Sequence, residues 1–148
     1  MTESIKSLFT RDLNQLKKEI ESYQNEEAIW KIDKDILNSA GNLSLHLVGN
    51  INHFIGAILG NSGYVRNREL EFSLKNIPKT ELILQIENTI EVVHSSLDQL
   101  SEEDLKKEYP IEALGYPMKT EYFLIHLFGH LNYHLGQINY HRRLLGVE

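Results

Sequence analysis

The sequence predicts an all-α protein: a four-helix bundle with one long connection and a short extra helix. Three observations predict it. Apolar residues recur at steps of three and four along four long segments. No stretch alternates convincingly enough to read as a strand, the short runs at Tyr64-Val65 and Glu71 to Leu74 being weak. All three prolines, Pro78, Pro110 and Pro117, fall between the periodic segments. The 148 residues read as one domain, 1–148, and a chain of this length buries about 70% of its unfolded surface.

The first helix runs from about Glu3 to Asn25, with Ile5, Leu8, Phe9, Leu13, Leu16, Ile20 and Tyr23 on one stripe. The segment from Trp30 to Asp35 breaks the period and reads as a loop, with Trp30 closing one end of the bundle. A second helix spans about Gly41 to Leu59, its stripe formed by Leu43, Leu47, Ile51, Phe54 and Ile58. Gly60-Asn-Ser-Gly63 ends it, because these residues adopt left-handed backbone at little cost.

Tyr64 to Ile77 reads as the long connection, and its Arg66, Arg68, Glu69 and Glu71 as a solvated charged face. A third helix follows Pro78, carrying Leu82, Ile83, Ile86, Ile90, Val93 and Leu97. Ser101-Glu-Glu-Asp104 has the form of an N-cap with an acidic first turn, which starts the short extra helix. Tyr109 to Lys119 is a loop. The last helix extends from about Thr120 to Leu145, with Arg142 and Arg143 suited to its C-terminal dipole and Gly146 beyond it.

Composition narrows the function. There is no cysteine, which rules out a disulfide framework, a thiolate zinc site and a cysteine nucleophile. Lys+Arg is 15 against Asp+Glu 21, a net charge of -6. An acidic chain is poorly suited to nucleic acid, whose binding rests on cationic phosphate contacts. No apolar run is long enough to span a membrane and no signal-peptide core is present, so a cytoplasmic setting is expected.

The chemistry points to the histidines. Of seven, four lie on the last helix: His126, His130, His134 and His141. At about 100° per residue they share a sector of roughly 80°, beside the stripe of Leu124, Leu127, Leu131, Leu135 and Ile138. Two imidazoles four residues apart can reach one divalent ion. A third ligand would come from another helix, and the second offers His46 and His53 with Asn50 between them. Three imidazoles leave coordination positions open, as a catalytic site requires. The competing reading is hydrogen-bonded core histidines or a solvated helix edge.

The string His130-Leu-Asn-Tyr-His134-Leu-Gly-Gln137 resembles the C-terminal signature of the DinB-like (YfiT-like) superfamily, and Leu45-His46-Leu47-Val48-Gly49-Asn50 resembles its first ligand helix. The resemblance covers nearly the whole chain. It implies a four-helix bundle, commonly a homodimer, with a divalent metal held by His46, His130 and His134. His126 matches a further histidine one turn earlier in the motif. Zinc or nickel is the expected metal, three imidazoles being suited to several such ions. The resemblance further implies a metal-dependent enzyme that transfers or adds a low-molecular-weight thiol onto a small electrophile. With no cysteine in the chain, that thiol would be a cosubstrate. The alternatives are a hydrolase in which water takes the place of the thiol, and a non-catalytic, stress-related bundle that binds a metal or small ligand.

Around these ligands, Gln137 is expected to hold the free ring nitrogen of His134, and Asn50 that of His46. Tyr133 would line the pocket. Gly129 and Gly136 each weaken a helix interior by about 1 kcal/mol relative to alanine, so a packing role is expected for both.

Overall fold

In the computed structural model, which describes residues 1–147, the protein is mostly helical. The elements are α1 (Thr2–Glu21), a 3₁₀ turn (Glu26–Trp30), α2 (Ala40–Ile51), a π-helical segment (Asn52–Ala57), α3 (Arg68–Ser73), α4 (Lys79–Leu97), α5 (Glu102–Lys106) and α6 (Thr120–Leu145). No strand forms among the described residues; two isolated bridges, Asp33 with Ile36 and Glu108 with Lys119, close loops. No helix there is long and apolar enough to cross a membrane.

Four helices make the bundle. Both α1 and α2 pack on α4 and on α6, so α1 and α2 occupy opposite corners. The stripe of α1 places Phe9, Leu13, Leu16 and Ile20 wholly out of solvent. The buried Glu19 ties α1 to α6 by accepting from Arg142 Nε at 2.6 Å and Asn139 Nδ2 at 2.7 Å. Desolvation raises the pKa of this carboxyl, but the Arg142 and Asn139 contacts outweigh it and hold the group below its ordinary value.

The boundaries follow local chemistry. α1 stops at Glu21, short of the expected Asn25, because Asn25 instead caps the 3₁₀ turn, its side chain accepting from the Glu27 amide at 3.0 Å. Trp30 packs against the core over Gly41, where a Cβ would lie 2.6 Å from the indole ring. At α5, Ser101 and Asp104 form a full capping box. Gly146 ends α6, though not with left-handed backbone (φ -98°); it is a close approach, since a Cβ there would sit 2.7 Å from the Tyr23 ring.

Two further expectations are corrected. The second helix is not α-helical to Leu59: after Ile51 it widens into the π-helical segment, where the Tyr109 hydroxyl donates to the Phe54 carbonyl at 2.5 Å. Over Ala40–Ile51 every residue is buried, because α3 covers the side that the bundle leaves open. Finally, the connection is a solvated face at Arg68 and Glu69, which are exposed, but not at Arg66 and Glu71. Its residues Arg68–Ser73 form α3, capped by the Asn67 side chain, and Asn42 Nδ2 fastens α3 to α2 by donating to the carbonyls of Glu71 and Leu74, both at 2.9 Å.

Candidate metal centre

α2 presents His46 toward α6, where His130 and His134 project from successive turns. The three residues offer ring nitrogens that all lie within 4.8 Å of one another, and the cluster could hold a metal ion. His46 Nε2 is 3.1 Å from His130 Nε2. The ring centroids of His134 lie 5.2 Å from His46 and 4.6 Å from His130.

The opposite ring nitrogens explain why Nε2 faces inward. His46 Nδ1 donates to Glu71 Oε1 at 3.0 Å, and His134 Nδ1 donates to Gln137 Oε1 at 2.7 Å. Each acceptor keeps the proton on Nδ1 and leaves the Nε2 lone pair directed into the cluster. His130 Nδ1 is buried without a hydrogen bond. Without an ion, the His46–His130 contact is satisfied by one Nε2 proton shared between the two rings; a divalent cation takes the place of that proton, and the three-imidazole donor set fits it.

Burial lowers the pKa of His46 more than its bond to Glu71 raises it. Burial, reinforced by the neighbouring His134 and His46, takes His130 down to about 4. Both imidazoles are therefore neutral at neutral pH, the form that binds metals.

Glu71 is the residue the sequence reading missed. It is only 5% exposed, and Arg66 grips it with Nε on Oε2 at 2.8 Å and Nη2 on Oε1 at 3.0 Å. Arg66 and Glu71 thus form a buried pair behind His46 rather than a solvated face. Gly49 provides the space: a Cβ there would lie 1.9 Å from Glu71 Oε2. The available signal was Asn67 ahead of Arg68-Glu-Leu-Glu, a helix start that would have put Glu71 on an element able to pack.

The other expected residues are placed as follows. Asn50 does not hold His46, because Glu71 occupies that ring nitrogen; Asn50 Oδ1 is instead buried without a partner. His126 lies outside the cluster, its ring stacked on Phe123 at 5.8 Å. Tyr133 touches the edge of His134 but is 66% exposed. His141, grouped with the others by helical angle, is a core histidine: Nδ1 meets the Tyr23 hydroxyl at 2.6 Å and Nε2 donates to the Lys31 carbonyl at 2.8 Å. Gly129 and Gly136 have no close neighbour within the chain, so no packing role is seen there.

Two clefts flank the cluster. One of about 290 Å³ lies against His46 and His130 and is lined by Asn50, Arg66, Arg68 and His126. The other, about 520 Å³, lies against His134 and is walled by Leu43, Tyr133, Gln137 and Tyr140.

Fold and site together define an all-α bundle with a three-histidine cluster fit for a metal ion. The chain belongs to the family described as "Protein of unknown function (DUF1572)", whose model matches residues 2–147. Comparison with curated proteins and with solved structures finds no match.

Proposed function

We propose that the protein is a metal-dependent enzyme of DinB-like type that transfers a low-molecular-weight thiol to a small electrophile. The observation that carries this reading is the inward convergence of His46, His130 and His134, two of them oriented by Glu71 and Gln137. These three residues would hold zinc or nickel. Bound there by neutral imidazoles, the ion supplies undiminished positive charge that brings a thiol's pKa toward neutrality.

The chain's own groups prepare the site. Glu71 and Gln137 set the tautomers of His46 and His134. Arg66 pairs with the Glu71 carboxylate behind the His46 ring. Clefts on both sides give two reactants separate access. With no cysteine in the chain, the thiol comes from solution. A reduced thiol as cosubstrate makes the cytoplasm the setting of this reading.

The outer face of α6 supports a homodimer. Tyr122, Ile125, Tyr133, Tyr140 and Leu144 are each at least 52% exposed there, in one row with Gly129 and Gly136. An apolar stripe with glycines is suited to a second helix at close range. Light scattering should give a dimer mass, reduced to a monomer by Tyr133→Glu.

The function is tested on protein purified without a histidine tag. Elemental analysis should find one zinc or nickel ion per chain in the native protein and loss of it in His134→Ala. Full metal content in that variant would overturn the ligand set. Metal-loaded protein should then couple thiols to a chlorinated aromatic substrate. Hydrolysis of esters without any thiol requirement would favour water as the nucleophile instead.

A further inference from the structure

The exposed row on α6 is symmetric about its middle. Tyr133, 66% exposed, is the centre. Gly129 and Gly136 flank it, both exposed, and a Cβ on either would meet no other part of the chain. Ile125 and Tyr140 come next, and Tyr122 and Leu144 close the row, all four at least 52% exposed. The steps between these residues are three, four, four, three, four and four. The row therefore runs close to the helix axis for about 33 Å, within a sector of roughly 100°. Read from either end it gives two large side chains, a glycine, then Tyr133. A helix lying alongside in the opposite direction meets its own row reversed, which is what a self-complementary two-fold contact requires. The glycines leave a notch on each side for the partner's central tyrosine ring.

Charge fixes the direction. Neither Glu121 nor Arg143 forms an ion pair among the described residues. A parallel pair would set like charge against like at both positions. An antiparallel pair sets Arg143 of each copy beside Glu121 of the partner subunit. At roughly 200 Å² for each large side chain, the five exposed ones offer on the order of 500 Å² per copy, or about 1,000 Å² for the pair, the size at which specific interfaces begin.

The row also borders the cleft of about 520 Å³ against His134. Tyr133, Tyr140 and Leu144 belong to both, and Gln137, His134 and His141 continue the cleft wall round α6 on one side only. The two-fold axis of an antiparallel pair is perpendicular to both helices, so both clefts open on the same side of the pair. The N-terminal half of each α6 then passes the mouth of the other copy's cleft. Level with Leu144 stands Tyr122 of the partner subunit. Within its own chain Tyr122 is no part of that cleft; its hydroxyl lies 3.1 Å from that of Tyr116.

We propose that two copies pair antiparallel along α6 and that Tyr122 of the partner subunit forms the outer wall of the cleft against His134, so that this cleft is complete only in the dimer. The proposal rests on the homodimer of the reading above and adds its direction, its register and a shared cleft. Leu43, Tyr140, Leu144 and the added tyrosine ring give that cleft apolar walls, suited to a flat, neutral reactant.

The chain has no cysteine, so a single substitution places a single thiol. Ile125→Cys mixed with Tyr140→Cys should give a covalent dimer with a short bismaleimide cross-linker. Neither variant alone should reach a tenth of that yield, because its two thiols would lie about 22 Å apart along the helices. The shared cleft is tested by NMR titration of the untagged protein with 1,3-dinitrobenzene, a flat neutral probe without a leaving group, followed on the methyl groups of Leu43 and Leu144. Tyr122→Ala, shown to be folded by circular dichroism, should bind it at least fivefold more weakly. Cross-linking of each variant with itself means a parallel pair and overturns the proposal alone. A monomeric native protein in light scattering overturns the homodimer as well. Equal affinity in Tyr122→Ala, or no binding by the native dimer, overturns the shared cleft. None of these outcomes depends on the metal, so they stand apart from the test of the ligand set.

Discussion

Glu71 Oε1 lies 3.0 Å from His46 Nδ1, although the two residues come from different helices and 25 positions separate them in the chain. A carboxylate behind an imidazole fixes the ring's tautomer and strengthens its other nitrogen as a donor to a metal. Arg66 on the far side of the same carboxylate completes a relay from cation to carboxylate to imidazole. Its members are almost wholly shielded from water, so each depends on the others for its charge balance.

Removing the carboxylate charge should therefore weaken the metal site without emptying it. Glu71→Gln is expected to lower zinc affinity about 10- to 100-fold, as such outer partners commonly do. Competition with a chromophoric chelator measures it. An affinity equal to that of the native protein would show that Glu71 does not tune His46.

Gly49 should tolerate no side chain. In Gly49→Ala the new Cβ would overlap Glu71 Oε2, 1.9 Å away, so either α3 shifts or the carboxylate leaves His46. A loss of about 1–3 kcal/mol is expected from overpacking. Chemical denaturation gives the stability change, and zinc affinity should fall with it.

The metal-free protein should weaken as it is acidified. Burial lowers the pKa of His46, His53, His130 and His141, with His130 reaching about 4 from an ordinary 6.5. Between those values the unfolded chain binds protons that the folded chain refuses. Stability is thus complete above about pH 6.5 and declines as pH falls toward 4. Glu19, whose pKa is lowered from 4.5, adds its own loss from the acid end of that window downward. Calorimetric melts between pH 7.5 and 4.5 should show a falling midpoint, with a shallower fall in His130→Gln. A flat profile would contradict the burial of these neutral rings.

Tyr23→Phe should separate stability from metal binding. It removes the hydroxyl 2.6 Å from His141 Nδ1 and strands a buried ring nitrogen. The expected cost is about 1–3 kcal/mol. Zinc content should not change, because His141 belongs to the core and not to the cluster. Loss of metal in this variant would mean that the C-terminal half of α6 is more tightly coupled to the site than its contacts indicate.

The helical architecture was legible from periodicity, because burial of one face per helix imposes the 3.6-residue recurrence directly on the residue order. α6 is the clearest case: Thr120 and Leu145 were both expected as its limits and both are observed. The spacing of His130, His134 and Gln137 was equally legible, since partners three and four residues apart on one helix meet by geometry alone. The role of His141 was not legible in the same way. Helical angle groups it with the other histidines, but which neighbours meet that face depends on Tyr23 and Lys31, more than a hundred residues earlier.

What the residue order determined without help, then, was local: a bundle, the limits of its last helix, a histidine pair one turn apart and the absence of any thiol of its own. What the tertiary structure alone decided was the company each group keeps. It chose Glu71 over Asn50 as the partner of His46 and drew Arg66 and Glu71 of a charged connection in behind that ring. The physical reason is that helical periodicity records which face is buried but not against what. A pairing between distant segments depends on how helices cross and on where a glycine such as Gly49 lets a carboxylate through.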